Sequence, residues 1–98
     1  MNALPPSAHQ YGCPHAAEQA LARYGVSLSP AAFGAMVADI VLTLAGDRST
    51  AILLQRQRFG RELWLVRLPD GRGVRVVYEP MHAMIVTVLP PDYSSRRS

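Results

Sequence analysis

Among the side chains of types that move protons or hold phosphates, four are candidates for one site: His15, Arg75, Glu79 and Thr87. Histidine titrates near neutrality and serves as base or acid. Arg75 and Glu79 are two steps of strand alternation apart, so an extended chain puts them on one side with Val77 between. Thr87 is the single polar residue of the run Met84 to Leu89. Together they suit a phosphate site in which arginine clamps the anion, threonine donates a hydrogen bond, and glutamate or histidine shifts a proton. Plainer roles stand beside this one. Arg75 and Glu79 as a surface ion pair would contribute little, Thr87 as a strand former would pack its methyl, and His15 would be a solvated residue in the first turn of a helix.

A second group is basic. Arg56, Arg58 and Arg61 surround a turn together with Gln55, Gln57 and Phe59, and with Arg23 from an earlier helix they are candidates for tracking a nucleic-acid backbone. A solvated hairpin end is the simpler use of the same residues. Tyr78 falls on the side of Val74 and Val76 and is expected inside, as is Trp64. Cys13 precedes a helix, where a thiolate is favoured, but no base stands at a fixed spacing from it and a nucleophilic role is not expected. One cysteine makes no intramolecular disulfide, and the three histidines show no metal-ligand spacing. No metal and no cofactor are expected.

The elements that must position these residues are readable in order. The run PHAAEQALARY is rich in helix formers, opens on proline and is followed by Gly25. It predicts a first helix with Ala17, Leu21 and Tyr24 on one face and a polar row, His15, Gln19 and Arg23, on another, facing solvent or a ligand. Ser29-Pro30 is an N-cap with proline at the first position, and Phe33, Met36, Val37, Ile40 and Leu44 keep helical spacing to Gly46. This second helix is apolar enough to need a sheet under it, and Gly34 offers a place of close approach.

Thr50 to about Arg58 reads as a strand, with Ile52 and Leu54 on the side of Arg56 and Arg58. Glu62 to Leu68 follows, with Trp64, Val66 and Leu68 on one side. Pro69 to Gly73 contains Asp-Gly, the strongest turn signal in the chain. The stretch GVRVVYEPMHAMIVTVLP then makes a hairpin of Val74 to Tyr78 and Met84 to Leu89. The expected fold class is α+β, two N-terminal helices packed on a four-stranded antiparallel sheet in the order ααββββ. Residues 1–12 read as a flexible arm, 13–91 as a single domain, and 92–98 as a disordered tail.

With 98 residues, 49% hydrophobic and 17% charged, the chain has the composition of one globular domain. No apolar run is long enough for a bilayer, and the start has no positive n-region, so a cytoplasmic protein without membrane association is expected. All ten basic residues are arginine, which a GC-rich genome explains as well as phosphate recognition does. The net charge of +3 suits an anionic partner such as RNA without requiring one.

The helix carrying His15 with QALARYGVSLS, the second helix, and strands ending in VVYEPMHAMIVTVLP resemble small proteins of the barnase, EndoU, colicin and RelE superfamily, many of them ribonuclease toxins of bacteria and phages. The likeness spans residues 14 to 90 as an order of elements. It implies a metal-independent ribonuclease whose sheet holds RNA, with His15 and strand residues Arg75, Glu79 and Thr87 at the scissile phosphate, and an antitoxin or immunity protein as partner. Such cleavage needs a base for the 2′-OH, an acid for the leaving oxygen and a cation for the phosphorane. Two other classes fit the same features. One is a non-catalytic phage or mobile-element inhibitor, of the anti-CRISPR kind, that binds a host nucleic-acid-processing complex. The other is a homodimer formed through an exposed edge strand.

Overall fold

The computed structural model describes residues 11–47 and 50–91. Most of the N-terminal arm, Arg48 and Ser49 of the turn after the second helix, and the 92–98 tail lie outside the described residues. The architecture is the expected α+β one: helix α1 (Pro14–Tyr24), helix α2 (Pro30–Leu44), then strands β1 (Ile52–Arg56), β2 (Glu62–Arg67), β3 (Gly73–Glu79) and β4 (Met84–Val88) in one antiparallel sheet, ordered as they occur in the chain. Among the described residues no helix is long and apolar enough to cross a membrane.

Local chemistry sets the helix limits. Cys13 caps α1 through Sγ, which accepts from the Ala16 N–H at 3.4 Å, and Gly25 closes it in the left-handed conformation at φ 70°. Ser29 Oγ accepts from the Ala32 N–H at 3.1 Å at the start of α2, with Pro30 in the first turn. Between β2 and β3 the Leu68 N–H bonds to the Arg72 carbonyl at 2.8 Å across Asp70-Gly71, and Gly71 takes φ 94° as that turn demands.

The core lies between helices and sheet. Phe33, Met36, Val37 and Ile40 of α2 and Ala16 and Ala20 of α1 pack on Trp64, Val66 and Leu68, on Val74, Val76 and Tyr78, and on Ile85 and Val88. Helix α2 crosses the sheet from the β4 side, where Phe33 meets Gly12, to the β1 side, where Thr43 Oγ1 donates to the Ala51 carbonyl at 3.2 Å. Gly34 admits the Tyr11 ring, 3.3 Å from where a Cβ would stand.

Two expectations need correction. The buried face of α1 is Ala16 and Ala20, whereas Leu21 is largely exposed. The helix rests against the edge strand β4, and small side chains let it come close. In β1 the alternation breaks at Leu54, where a bulge lets Gln55 pair with Leu63 on the face of Ile52 and turns Arg56 to the face of Leu53, opposite Glu62.

The segment before α1 is part of the fold. Gly12 forms a parallel bridge with Ile85, the Ile85 N–H bonds to the Tyr11 carbonyl at 2.8 Å, and the Cys13 N–H bonds to the Ile85 carbonyl at 3.1 Å. A Cβ on Gly12 would run into the ring of Phe33, which is fully enclosed and has no room to turn. Gly12→Ala should therefore lower stability by about 1–3 kcal/mol, as overpacking does. Chemical denaturation measures this, and an unchanged midpoint would mean that Tyr11 to Cys13 is not held on the sheet.

Candidate functional site

The helices cover one face of the sheet. Cross-strand register settles what occupies the other. Val77 pairs with Thr87 and with Leu63, Arg75 pairs with Leu65, and Glu79 pairs with Met84. Because Tyr78, Val76 and Val74 point into the core, Arg75, Val77 and Glu79 point away from it, with Thr87 beside Val77. The structure thus brings Arg75, Glu79 and Thr87 to one surface, all half-buried, around the apolar pair Val77 and Leu63. A bulge at Val86 maintains this arrangement, since Tyr78 pairs with Ile85 while Val77 pairs with Thr87.

Arg75 and Glu79 do not pair with each other. The Glu79 carboxylate receives the Nδ1 side of the His82 ring through Oε1 and the Met81 N–H through Oε2 at 2.7 Å, which ties down the β3–β4 turn. Ala83 completes that turn at φ 51° with its N–H on the Pro80 carbonyl. The His82 bond, helped by the Met81 N–H and opposed in part by burial, holds the Glu79 carboxyl below the usual glutamate range. Arg75 Nε is buried and has no hydrogen-bond partner. A buried guanidinium N–H without an acceptor is costly, and an anion on this face would supply one.

His15 sits elsewhere. It is exposed in the first turn of α1 and makes no hydrogen bond with Arg75, Glu79 or Thr87. The rest of its polar row, Gln19 and Arg23, bonds to the outer edge of β4. Gln19 Oε1 accepts from the Val88 N–H at 2.7 Å, Arg23 Nη1 donates to the Val88 carbonyl at 2.7 Å, and Tyr24 OH donates to the Leu89 carbonyl at 2.8 Å. At the start of the helix Cys13 Sγ donates to the Val86 carbonyl at 3.3 Å. His15 is one helical turn before Gln19 and exposed, and the structure does not bring it into contact with Arg75, Glu79 or Thr87. The Arg23 guanidinium is engaged by the strand edge.

The basic candidates lie at one end of the sheet. Arg56 Nη1 is 3.4 Å from Glu62 Oε2, while Arg58 and Arg61 are exposed beside the short 3-10 turn Arg58–Gly60. The β3–β4 turn with His82 is at the same end. Phe59, at φ 62°, is 91% exposed there, and Met81 is 84% exposed.

Glu62 and Tyr78 serve the interior. The buried Glu62 carboxylate accepts the Trp64 indole N–H at 2.9 Å. Burial, with the nearby Glu62 and Glu79 charges, pushes the Tyr78 phenol up, so it stays protonated. A groove of about 500 Å³ between α2 and the end of β2, lined by Ser29, Ala32, Ala35, Asp39, Thr50 and Leu68, is on the helix side, away from Arg75 and His82. Among the described residues no three His, Cys, Asp or Glu side chains gather as a metal site would need.

His82 is the residue that sequence reasoning missed. The spacing Glu-x-x-His across a turn containing proline was its signal, since a tight turn brings the first and fourth side chains together.

The Glu79 geometry makes a pH prediction. A carboxyl whose folded value is depressed contributes stability that is complete above its unfolded value and is lost as pH falls through the folded one. Acid titration of stability should therefore show a slope below the ordinary glutamate range that Glu79→Gln reduces. An identical acid limb in the variant would mean that the turn gains nothing from the carboxylate.

Comparison with protein-family models, with curated proteins and with solved structures finds no match to this chain, so the site is read from its own geometry.

Proposed function

We propose that this protein is a metal-independent, ribonuclease toxin-like endoribonuclease whose RNA lies on the β3–β4 half of the helix-free face. The observation that carries the reading is the placement of Arg75, Thr87 and the Glu79–His82 pair on one surface, with an unpartnered arginine N–H among them. Glu79 holds the Nδ1 side of His82 and leaves Nε2 to accept the 2′-OH proton, the arrangement in which an orienting carboxylate makes histidine an effective base. The 2′-oxygen attacks phosphorus, Arg75 and Thr87 take the phosphorane charge, and the 5′-oxygen departs with a proton from an acid, for which His15 is the candidate. The products are a 2′,3′-cyclic phosphate and a free 5′-hydroxyl. Arg58 and Arg61, on the same end of the sheet, extend a basic track for the strand.

The test is direct. Purified protein should cleave single-stranded RNA in the presence of a chelator and leave cyclic phosphate ends. His82→Ala should lose about 10²–10⁴-fold of that rate, the usual contribution of a general base. RNA left intact by stoichiometric protein would remove the reading.

A second reading, a non-catalytic inhibitor of a host nucleic-acid-processing complex, is favoured by Phe59 and Met81, large apolar side chains exposed at that same end. Expression in a bacterium distinguishes them. Growth arrest relieved by His82→Ala supports the ribonuclease, whereas harmless expression with capture of one host complex, lost in Phe59→Ala, supports the inhibitor.

A further inference from the structure

The tip of the β1–β2 hairpin is built against its own stability. Phe59 takes φ 62° and ψ 29°, the left-handed conformation that a large side chain rarely adopts, and it is 91% exposed. Gly60 follows at φ 75°. Glycine or asparagine at position 59 would form this turn more readily, and the ring is no part of the core. Strain kept at an exposed position points to a ligand for the side chain that bears it.

Pairing and register define the charge around the ring. Arg58 and Arg61, on either side of it, are exposed and in no ion pair among the described residues. The carboxylates of this end are already taken, Glu62 by Trp64 and Arg56, and Glu79 by His82. Glu62 pairs with Tyr78 and shares its face of the sheet. The same register continued by one residue puts Arg61, extended at φ -78° and ψ 158°, next to Glu79 on the helix-free face. The tip thus presents two unpaired guanidiniums and one aromatic ring beside the face that carries Arg75 and Thr87.

We infer that Phe59 is a stacking platform for one unpaired base of a single-stranded RNA, with Arg58 and Arg61 on the flanking phosphates. A ring between arginines suits a single strand because every base offers a π-face and every nucleotide a phosphate. A hot spot for a protein partner sits amid contacts that exclude water, whereas the chain neighbours of Phe59 are Gln57, Arg58, Gly60 and Arg61. The side of the scissile bond follows from the ribonuclease reading, on which this part of the inference rests. His82 takes the 2′-OH proton, so the ribose that precedes the scissile phosphate lies at the β3–β4 turn, and the strand passes Phe59 on its 5′ side.

Fluorescence anisotropy on the full chain tests the platform with a labelled single-stranded RNA methylated at every 2′-oxygen, which cannot be cut, and with an abasic strand of equal length and charge. Phe59→Ala should lose about 10–100-fold of the affinity for the first, as removal of one stacking ring does, and none for the second. Phe59→Gly should match it with an unchanged or raised melting temperature, and Phe59→Trp should bind with its new indole emission quenched. For cleavage, a single ribonucleotide in the methylated strand fixes the scissile bond. An abasic residue on its 5′ side should raise the parent's KM to that of Phe59→Ala with kcat unchanged, and one on its 3′ side should not. RNA bound through Phe59 but left uncut supports the platform and removes the ribonuclease reading. Cleavage indifferent to Phe59→Ala overturns the platform and leaves the ribonuclease standing. A parent with no affinity for RNA also overturns it, and capture of a host protein complex that Phe59→Ala abolishes would then give the ring to that partner.

Discussion

Arg75→Met is expected to lower RNA cleavage about 10²–10³-fold, the range seen when one donor to a transition-state oxyanion is removed, without lowering stability. Methionine keeps an unbranched apolar stem between Leu65 and the strand pair Val77 and Thr87 and discards the guanidinium. The discarded head includes Nε, buried without a partner. Relief of such an unsatisfied donor is worth up to about 1–3 kcal/mol, so the melting temperature should hold or rise while activity falls. This divergence identifies a residue retained for ligand binding. A variant that loses both together would make Arg75 a structural residue, and one that loses neither would place the phosphate elsewhere.

Trp64→Ala should be the most destabilising substitution in the chain. The indole is fully buried at the centre of β2, and truncation of a buried tryptophan costs about 3–5 kcal/mol. Here the loss includes a polar component. The indole N–H is a partner of Glu62, whose carboxylate is buried and otherwise meets Arg56 at 3.4 Å. With domain stabilities of about 5–15 kcal/mol, a loss of this size leaves little margin. Denaturant unfolding followed by circular dichroism measures it. Trp64→Phe should fall between the two, because it restores volume and not the N–H. If Trp64→Phe equals the parent, the Glu62 bond contributes nothing measurable.

Much of the fold was legible because the signals were local. Ser29-Pro30 and Gly25 marked helix limits, Asp70-Gly71 marked a turn, and the alternation of Trp64, Val66 and Leu68 showed which side of β2 is covered. The relation of Arg75, Glu79 and Thr87 followed from the same alternation. What stayed hidden depended on contacts between distant segments. The bulges at Leu54 and Val86 change facing without changing composition, and nothing in the run ILLQR or MIVTV announces an extra residue. The buried face of α1 depended on its partner being a strand edge, for which alanine matters more than leucine. The Glu79–His82 pair required a turn in which Ala83 takes a conformation that few non-glycine residues adopt. The polar row of α1 was visible, but its role in occupying the carbonyl and N–H of Val88 was not.

The docking of α1 on β4 also bears on how the protein is made. Tyr11 to Tyr24 bonds to Ile85 to Leu89 across 65 to 74 positions of chain. Contacts of such sequence separation close slowly. During synthesis the first helix leaves the ribosome well before the strand that receives it, and its row of backbone-seeking side chains has no strand to bond until the final hairpin has emerged. The nascent chain must therefore carry α1 undocked until β4 has emerged, and completion of β4 is the event that lets these two distant segments close on each other.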